Sequence, residues 1–299
     1  MSAKVDKRFS YAVLVLPAVL IYLAVVAFPT VFSVFLSLTN YNGGPIFGGN
    51  FEFVGFNSYR WMFTEPTRAF YSALRNNMLI VGVSIFGQIP LGFILAYIVS
   101  RRLIKFGTRF FQAMIFLPFV ISPVIIGVLF RAFILSPHSV WMEIRQFFNP
   151  EAVFTLSTRP MLPVLFVILW MFTGFYMIIF IAHLQRIDPT VIEAARIDGA
   201  SEGKILTRII LPVMTSEIVT CSILAIAGSL RTFDLIYAMT AGGPAGQTRV
   251  LSLFMFQSAF QGAPNFPLAN AISTVMVLIS ILLIIVVRLV GRYFDRGGV

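Results

Sequence analysis

The chain has 299 residues, of which 58% are hydrophobic and 11% are charged, and its formal net charge is +10. Because an ordinary soluble domain has about 25% charged residues, this composition excludes a cytosolic enzyme, a disordered chain and a nucleic-acid-binding protein. The mean hydropathy of +0.90 instead indicates an all-α polytopic membrane protein. The positive charge then fits basic loops on the cytoplasmic side of the membrane.

Six apolar runs are each long enough to cross the hydrocarbon core of a bilayer, which takes about 20 helical residues. In chain order they cover Tyr11–Leu38, Asn77–Ser100, Phe110–Arg131, Met161–His183, Ile209–Ser229 and Leu268–Val287. The length of the first run, and the five runs that follow it, indicate a retained anchor rather than a cleaved signal peptide. We therefore expect a six-helix membrane domain over residues 11–290, with cytoplasmic tails at 1–10 and 291–299.

The orientation follows from the distribution of lysine and arginine. If the N-terminus lies in the cytoplasm, the cytoplasmic segments hold 14 of the 22 basic residues, although the outer segments are longer in total. The segment 101–109 alone has four basic residues and no acidic one. The positive-inside rule therefore predicts that both termini are cytoplasmic.

Cysteine and histidine are too sparse for common metal sites. Cys221 is the single cysteine, and His138 and His183 are 45 residues apart. These counts exclude an intrachain disulfide, a cysteine-based metal site and a local histidine pair. We expect no catalytic residue, metal site or cofactor in this chain.

The segment between the fourth and fifth runs is unlike its surroundings. From Arg186 to Arg208, four acidic and four basic residues interrupt the apolar background. Asp188 can cap a helix whose first residue is Pro189. Gly199 suits a left-handed helix end, and Ser201 can cap a second helix that leads into the fifth run.

The first of these helices carries apolar side chains that need a cover. A helix of about ten residues is marginal in water by itself. An ordinary solvated loop is the alternative interpretation, but a docked protein partner explains the apolar side chains better. They belong to Val191, Ile192, Ala195 and Ile197.

This loop resembles the EAA loop of ABC importer permeases. The resemblance rests on the sequence Glu193-Ala194-Ala195-Arg196-Ile197-Asp198-Gly199-Ala200-Ser201, followed by Ile209-Ile210-Leu211-Pro212. In that family the loop forms a coupling helix that sits in a cleft of the ATP-binding subunit. The family often has aromatic residues near the positions of Gly203 and Leu206, and this chain has none there.

The resemblance implies ATPase-coupling roles for six residues. Polar contacts and caps are implied for the acidic ones, close approach for the alanines, a turn for the glycine and a change of chain direction for the proline. The six are Glu193, Asp198, Ala194, Ala195, Gly199 and Pro212.

Other segments resemble the carbohydrate-uptake branch of the family, with permeases of the maltose, multiple-sugar and glycerol-phosphate type. They are Phe53–Tyr59, Pro90–Gly92, Leu117–Pro118 and Phe233–Pro244. The last of them resembles the outer segment of the first of two permease subunits. The implied fold is the six-helix type I ABC importer permease fold.

The resemblance also implies an assembly in the cytoplasmic membrane of a bacterium or archaeon. Its other members would be a second homologous permease, two ATP-binding subunits and an extracytoplasmic solute-binding protein that delivers a sugar or oligosaccharide. The sequence has no glycine-rich phosphate loop of the P-loop kind. ATP and its Mg²⁺ would therefore be bound by the partner subunits.

Candidates for the substrate path come first from the fifth run. Ala225, Gly228, Ser229 and Thr232 follow the spacing i, i+3, i+4, i+7 and so share one helix face. Such a face can line a cavity, and it can equally serve close helix packing. Both interpretations remain open at this point.

Further candidates are aromatic. Trp170, Phe172 and Phe175 in the fourth run could offer a platform for a sugar ring, although core or lipid-facing aromatic residues are the alternative. Ser122, beside Pro123 in the third run, is another candidate for the path.

Three charged residues have open roles. Glu217 is the only acidic residue well inside a run, and it can simply face a watery vestibule. Arg231 and Asp234 lie at the outer end of the fifth run, where they could gate a cavity, contact a binding protein or form an interfacial pair.

Other functions remain as alternatives. The first is an ABC permease for an amino acid, a peptide or a phosphate ester. The second is an ion-coupled secondary transporter, which calls for several intramembrane ionisable groups or inverted repeats. The third is an intramembrane enzyme, which calls for a catalytic constellation. The sequence has one intramembrane acid and no visible repeat.

Overall fold

A computed structural model describes residues 7–44, 52–101, 107–135 and 160–296, together with the single positions 143 and 147. Within these ranges the only β-pairing is an isolated bridge between Thr39 and Phe53. The remaining regular structure of the described chain is helical. This agrees with the predicted all-α class.

The helices are numbered here in chain order. They are α1 Lys7–Tyr22, α2 Phe28–Leu36, α3 Asn57–Thr64, α4 Ala69–Val83, α5 Ile89–Ser100, α6 Thr108–Val120, α7 Pro123–Phe130, α8 Met161–Leu184, α9 Pro189–Ile197, α10 Glu202–Ile205, α11 Leu211–Val213, α12 Thr215–Arg231, α13 Asp234–Thr240, α14 Leu251–Phe260 and α15 Phe266–Arg296. In the part of the chain that the structure describes, four π-helical turns occupy Leu23–Ala27, Ser84–Gln88, Arg131–Leu135 and Leu206–Ile210.

The described chain contains six candidate membrane spans. Four are long helices: Val13–Leu36, Ala69–Ser100, Met161–Leu184 and Phe266–Tyr293. Two are bent pairs of helices, Thr108–Val120 with Pro123–Ile134 and Glu202–Val213 with Thr215–Arg231. The predicted count of six is confirmed when each bent pair is taken as one span.

The third run is not the straight span that the sequence predicts. Its two halves, α6 and α7, meet at an angle of 90°. Ile121 and Ser122 have extended backbone between them. Ser122 precedes Pro123, and the proline ring disfavours helical backbone at the residue before it. The prediction of one continuous helix over Phe110–Arg131 was therefore wrong.

The fifth run is also broken. The chain bends by 66° between Glu202–Val213 and α12, so the predicted helix from Ile209 to Ser229 is not continuous. The π-helical turn at Leu206–Ile210 and the short α11 with Pro212 precede this bend. Proline removes a backbone donor and π turns disturb the helical ladder, which accounts for the break.

The described residues divide into two compact units. One unit comprises residues 1–67 and 255–275. In it, the window of highest hydropathy within Val13–Leu36 has no buried residue. Its apolar side chains therefore need lipid or another subunit as cover. The Ser33 hydroxyl donates to Oδ1 of Asn270 at 2.6 Å, which joins α2 to the first turns of α15.

The second unit comprises residues 68–254 and 276–299 and holds most of the core. Helix α8 packs against α5 and α6. The closest approach is at Gly174, where a Cβ would overlap the carbonyl of Ile115. Gly92 also allows α5 to approach α8 closely, since a Cβ there would lie 2.9 Å from Cβ of Tyr176. Cys221 of α12 is fully buried in this core.

Candidate functional site

The loop at residues 186–208 forms a helix, a turn and a second helix, as predicted. Oδ1 of Asp188 accepts a hydrogen bond from the backbone N–H of Thr190 at 2.9 Å. This bond lowers the pKa of the Asp188 carboxyl. Pro189 takes the first helical position of α9, where a missing N–H costs nothing.

The other end of α9 is closed by a Schellman motif. Gly199 has φ +76°, and its N–H donates to the carbonyl of Arg196 at 3.0 Å. The N–H of Ala200 donates to the carbonyl of Ala195 at 2.9 Å. Ser201 then caps α10, because its hydroxyl accepts from the N–H of Lys204 at 3.4 Å. The loop thus holds a fixed shape through its own backbone.

The apolar residues of α9 face two ways. Ile192 is 8% exposed and packs in the core of the second unit, and Ala195 is half-buried against the same core. The expectation that both leave apolar area uncovered was wrong for Ile192. Val191 and Ile197 remain exposed, at 48% and 87%. They form the uncovered apolar surface of this helix.

Most of the six predicted coupling residues lie on the outer surface of the loop. Ala195 is the exception, being half-buried. Pro212 lies two residues before the bend at Met214. The exposed residues are Glu193, Ala194, Asp198, Gly199 and Pro212.

An ionic cluster that the sequence did not suggest joins this loop to the end of α5. Oε1 of Glu202 accepts from Nη2 and Nε of Arg196 at 2.7 and 3.1 Å. Oε2 accepts from Nη2 of Arg101 at 3.1 Å and from the Tyr97 hydroxyl at 3.0 Å. Hydrogen bonds from Arg196, and then from Arg101, lower the pKa of the Glu202 carboxyl to about 2.

A small cavity of about 50 Å³ lies between α4, α8 and α12, and we call it the α12 cavity. Five of the eight predicted path residues line it. The four-residue face of the fifth run therefore borders a small space, and two of its members, Ala225 and Ser229, are also buried by helix packing. The five are Phe172, Ala225, Gly228, Ser229 and Thr232.

The other three predicted path residues lie elsewhere. Trp170 packs against Phe130 with ring centroids 5.5 Å apart. Phe175 stacks on Phe119 at 4.7 Å. Ser122 is exposed in the bend between α6 and α7. None of the three is among the residues that line the α12 cavity.

Sequence reasoning missed the opposite wall of the α12 cavity. Its polar members are Ser84 and Gln88, the first and last residues of a π-helical turn. The Ser84 hydroxyl lies 3.1 Å from that of Ser229, and Nε2 of Gln88 donates to the carbonyl of Ile168 at 2.7 Å. Two polar residues four apart in an apolar run are the signal that could have found this wall. Ile80, Ile168 and Tyr176 complete the lining.

Asn77 connects α4 to α12 and α14 through hydrogen bonds of its side-chain amide. Its Nδ2 donates to the carbonyl of Ser229 at 2.9 Å, and its Oδ1 accepts from the N–H of Leu251 at 2.7 Å. The side chain is fully buried. Asn77 therefore satisfies two backbone groups of two other helices at once.

Glu217 has a partner that the sequence did not suggest. Its Oε1 lies 3.0 Å from Nδ1 of His183, so the pair joins the end of α8 to the first turn of α12. Both side chains are partly buried. Arg231 and Asp234 are exposed at the far end of α12.

The family follows from comparison with known proteins. Residues 88–297 match the binding-protein-dependent transport system inner membrane component family. The chain belongs to that family. It is an ABC importer permease subunit, which is a transport subunit rather than a catalytic one.

Relatives cover nearly the whole chain. A probable ABC transporter permease protein, YurN of Bacillus subtilis, is 32% identical over 93% of this chain and 94% of its own length. The multiple sugar-binding transport system permease protein MsmF of Streptococcus mutans is 29% identical over 96% of this chain and 97% of its own. These relatives confirm the resemblance to sugar permeases of the ABC class.

Solved structures share the fold. This chain superposes on a chain of a bacterial alginate ABC transporter, solved in complex with a periplasmic protein that holds an alginate pentasaccharide. The TM-score is 0.80 at 20% sequence identity, covering 99% of this chain and 98% of that chain. The type I importer permease fold is confirmed.

Proposed function

We propose that this permease translocates a sugar or oligosaccharide and is driven by ATP hydrolysis in partner subunits through the 186–208 loop. The observation that carries the proposal is the build of α9. Both of its ends are capped, and it still leaves Val191 and Ile197 in solvent beside the exposed Glu193 and Asp198. A rigid helix with an uncovered apolar and acidic surface suits docking into a cleft of another protein.

The proposed assembly contains a second related permease, two ATP-binding subunits that hold ATP and Mg²⁺, and an extracytoplasmic solute-binding protein. Family membership supports it, as does the alginate transporter, which was solved with its periplasmic protein. Both termini and the 186–208 loop lie in the cytoplasm in this proposal, because the basic residues concentrate in the segments on that side.

The proposed path for the substrate passes through the α12 cavity. Its polar lining residues are Ser84, Gln88, Tyr176, Ser229 and Thr232, which carry hydroxyl and amide groups. Among the residues that the structure describes, no charged side chain lines it. Hydroxyl and amide groups suit a neutral polyhydroxy solute better than a phosphate ester or a coupling ion. The relative MsmF, named for multiple sugars, supports the same class.

The α12 cavity must widen during transport. Sites for small organic ligands have volumes of about 300–1,000 Å³, whereas this cavity has about 50 Å³. Helices α4, α8 and α12 therefore have to separate when the substrate passes. The bend before α12 and the π turn at Ser84–Gln88 are places where these helices can yield.

The test is purification of this chain from its native membrane in mild detergent, followed by reconstitution of the complex that comes with it. We expect an ATP-binding protein and a second permease to co-purify, and the proteoliposomes to take up sugar only with ATP and the solute-binding protein. Recovery of this chain alone, with uptake driven by an ion gradient, would reject the proposal.

A further inference from the structure

The Glu202 cluster connects three parts of the chain through one carboxylate. Arg196 belongs to α9, Glu202 begins α10, and Tyr97 and Arg101 lie one turn apart at the end of α5. About one hundred residues separate Glu202 from its α5 partners. This carboxylate therefore links the 186–208 loop to a helix that the chain does not place next to it.

The side chains of the Glu202 cluster differ in how far they are buried. The Arg101 side chain is 16% exposed, whereas those of Arg196 and Glu202 are 52% and 56% exposed. Cζ of Arg101 also lies 5.9 Å from the ring centroid of Tyr97, within the range of a cation–π contact. Arg101 is thus held against α5, and Glu202 reaches it from the loop.

Packing beneath the loop is incomplete. A second cavity of about 260 Å³ lies between the ends of α5 and α8 and the start of α9, and Tyr97, Arg101, Pro189 and Ile192 are in its lining. In the described part of the chain, the buried Oγ of Ser100 and Nε of Arg101 have no hydrogen-bond partner. Since α9 has room on this side, the hydrogen bonds through Glu202 add a polar connection to α5 beside the packing of Ile192 in the core.

Helix α5 leads directly to the α12 cavity. The span Ala69–Ser100 is one continuous helix, and it includes the cavity-lining π turn Ser84–Gln88. Arg101 follows the end of this span, about 20 Å along the helix axis from Gln88 at 1.5 Å per residue. A pull on Arg101 therefore acts along α5 and reaches the cavity wall at the π turn Ser84–Gln88, where this span can yield.

We infer that Glu202 is a positioning residue that transmits movement of the 186–208 loop to the α12 cavity through Arg101 and Tyr97 of α5. The inference rests on the proposed function, because it assumes that a partner ATPase moves this loop. It adds a second connection to the covalent one through α8 and α12, and it assigns a role to residues outside the six predicted coupling positions.

The test uses the complete transporter in proteoliposomes and measures sugar uptake and ATP hydrolysis together. We expect Glu202→Gln to reduce the sugar moved per ATP by at least about fivefold, the lower end of typical coupling between sites, while the ATPase still co-purifies. Arg101→Gln should have the same effect. The double variant should be no worse than Glu202→Gln alone, because that change already breaks the ion pair with Arg101.

Two further variants guard against a loss of folding. Tyr97→Phe removes only the hydroxyl that donates to Glu202, so it should lower the sugar moved per ATP in the same direction but less. Arg288→Gln is the matched control. It removes an exposed charge of α15 that lies outside both the 186–208 loop and the Glu202 cluster. It should leave the ratio unchanged.

The outcomes separate the inference from the proposed function. Suppose that the unaltered complex couples uptake to ATP and that Glu202→Gln and Tyr97→Phe both move as much sugar per ATP as it does. In that case the positioning role is wrong and the proposed importer function is retained. A parallel loss of uptake and hydrolysis at constant ratio would also overturn it, because that indicates a structural role only. If the unaltered complex shows no ATP-driven uptake, the proposed function fails first.

Discussion

The 186–208 loop lies between α8 and α12 in the chain, and the same two helices line the α12 cavity, but the two regions are held by different kinds of contact. The loop relies on capped helix ends and on an exposed cluster of two arginines, a tyrosine and a glutamate. The α12 cavity relies on buried, uncharged hydrogen bonds such as those of Asn77 and Gln88. Exposed ion pairs can exchange their partners for water at little cost, whereas buried amides cannot be left unpaired.

This difference shows where each region can change. The outer surface of the loop can give up contacts to a docking protein and regain them, because water satisfies its charges in between. The helices around the α12 cavity can separate only where each buried hydrogen bond between them finds a replacement partner, such as a hydroxyl group of the substrate. Movement in the cavity is therefore expected to be a shift of entire helices.

The largest effect is expected at the turn of the loop. Gly199→Pro should reduce sugar uptake to background, because proline has neither the left-handed backbone nor the N–H that closes α9. The measurement is ATP-dependent uptake in whole cells, with membrane insertion followed by immunoblot. The control is Gly203→Ala, where an added Cβ meets open space. Normal uptake in Gly199→Pro would show that the shape of the loop is irrelevant to coupling.

A block in the α12 cavity should be almost as severe. Ser229→Phe places a ring in a space of about 50 Å³, so uptake should be lost while co-purification of the ATPase persists. Thr220→Phe, at an exposed position of the same helix, is the matched control. Unchanged uptake in Ser229→Phe would move the substrate path away from this cavity.

Removal of a buried amide should cost stability rather than coupling. Asn77→Ala leaves the N–H of Leu251 without its acceptor, which costs about 1–3 kcal/mol for an unsatisfied buried group. It also removes one of the two hydrogen bonds to the carbonyl of Ser229, which keeps the bond from the N–H of Thr232. Thermal unfolding of the purified chain in detergent measures this loss. Glu202→Gln should lower the midpoint temperature of unfolding less than Asn77→Ala does, since exposed ion pairs contribute about 0.2–1 kcal/mol. Equal losses would remove the contrast between the two regions.

The smallest effect is expected from pH. The folded pKa of Glu202 is about 2, below its usual value of 4.5, so its stabilising contribution is complete above pH 4.5 and is lost as the pH falls through about 2. The difference in unfolding midpoint between the unaltered chain and Glu202→Gln should be constant from pH 7 to 4.5 and vanish near pH 2. A difference that persists at pH 2 would mean that ionisation of Glu202 is not its source.

The sequence predicted those features that depend on neighbours along the chain. The caps at Asp188 and Ser201 and the turn at Gly199 each follow from one residue type in a local pattern, and all three are present. The fourth span was predicted to within one residue at its end, because its apolar run is long and uninterrupted. The helix face of Ala225 and Ser229 also turned out to border a cavity.

Features that depend on contacts between distant segments could not be predicted in this way. Glu202 meets Arg101, and Ser229 meets Ser84, across more than one hundred residues, and no local pattern links them. The bend at Ser122 was missed because hydropathy averages over a window and ignores the backbone preference of a residue before proline.

The burial of Cys221 has a practical consequence for measuring these movements. It is the only thiol in the chain, and its side chain has no solvent exposure within the core of the second unit. A thiol-reactive fluorophore or spin label applied to the folded protein should therefore report on an introduced cysteine alone. Distances between two labelled positions could be followed through a transport cycle without first deleting the native residue and disturbing the core around it.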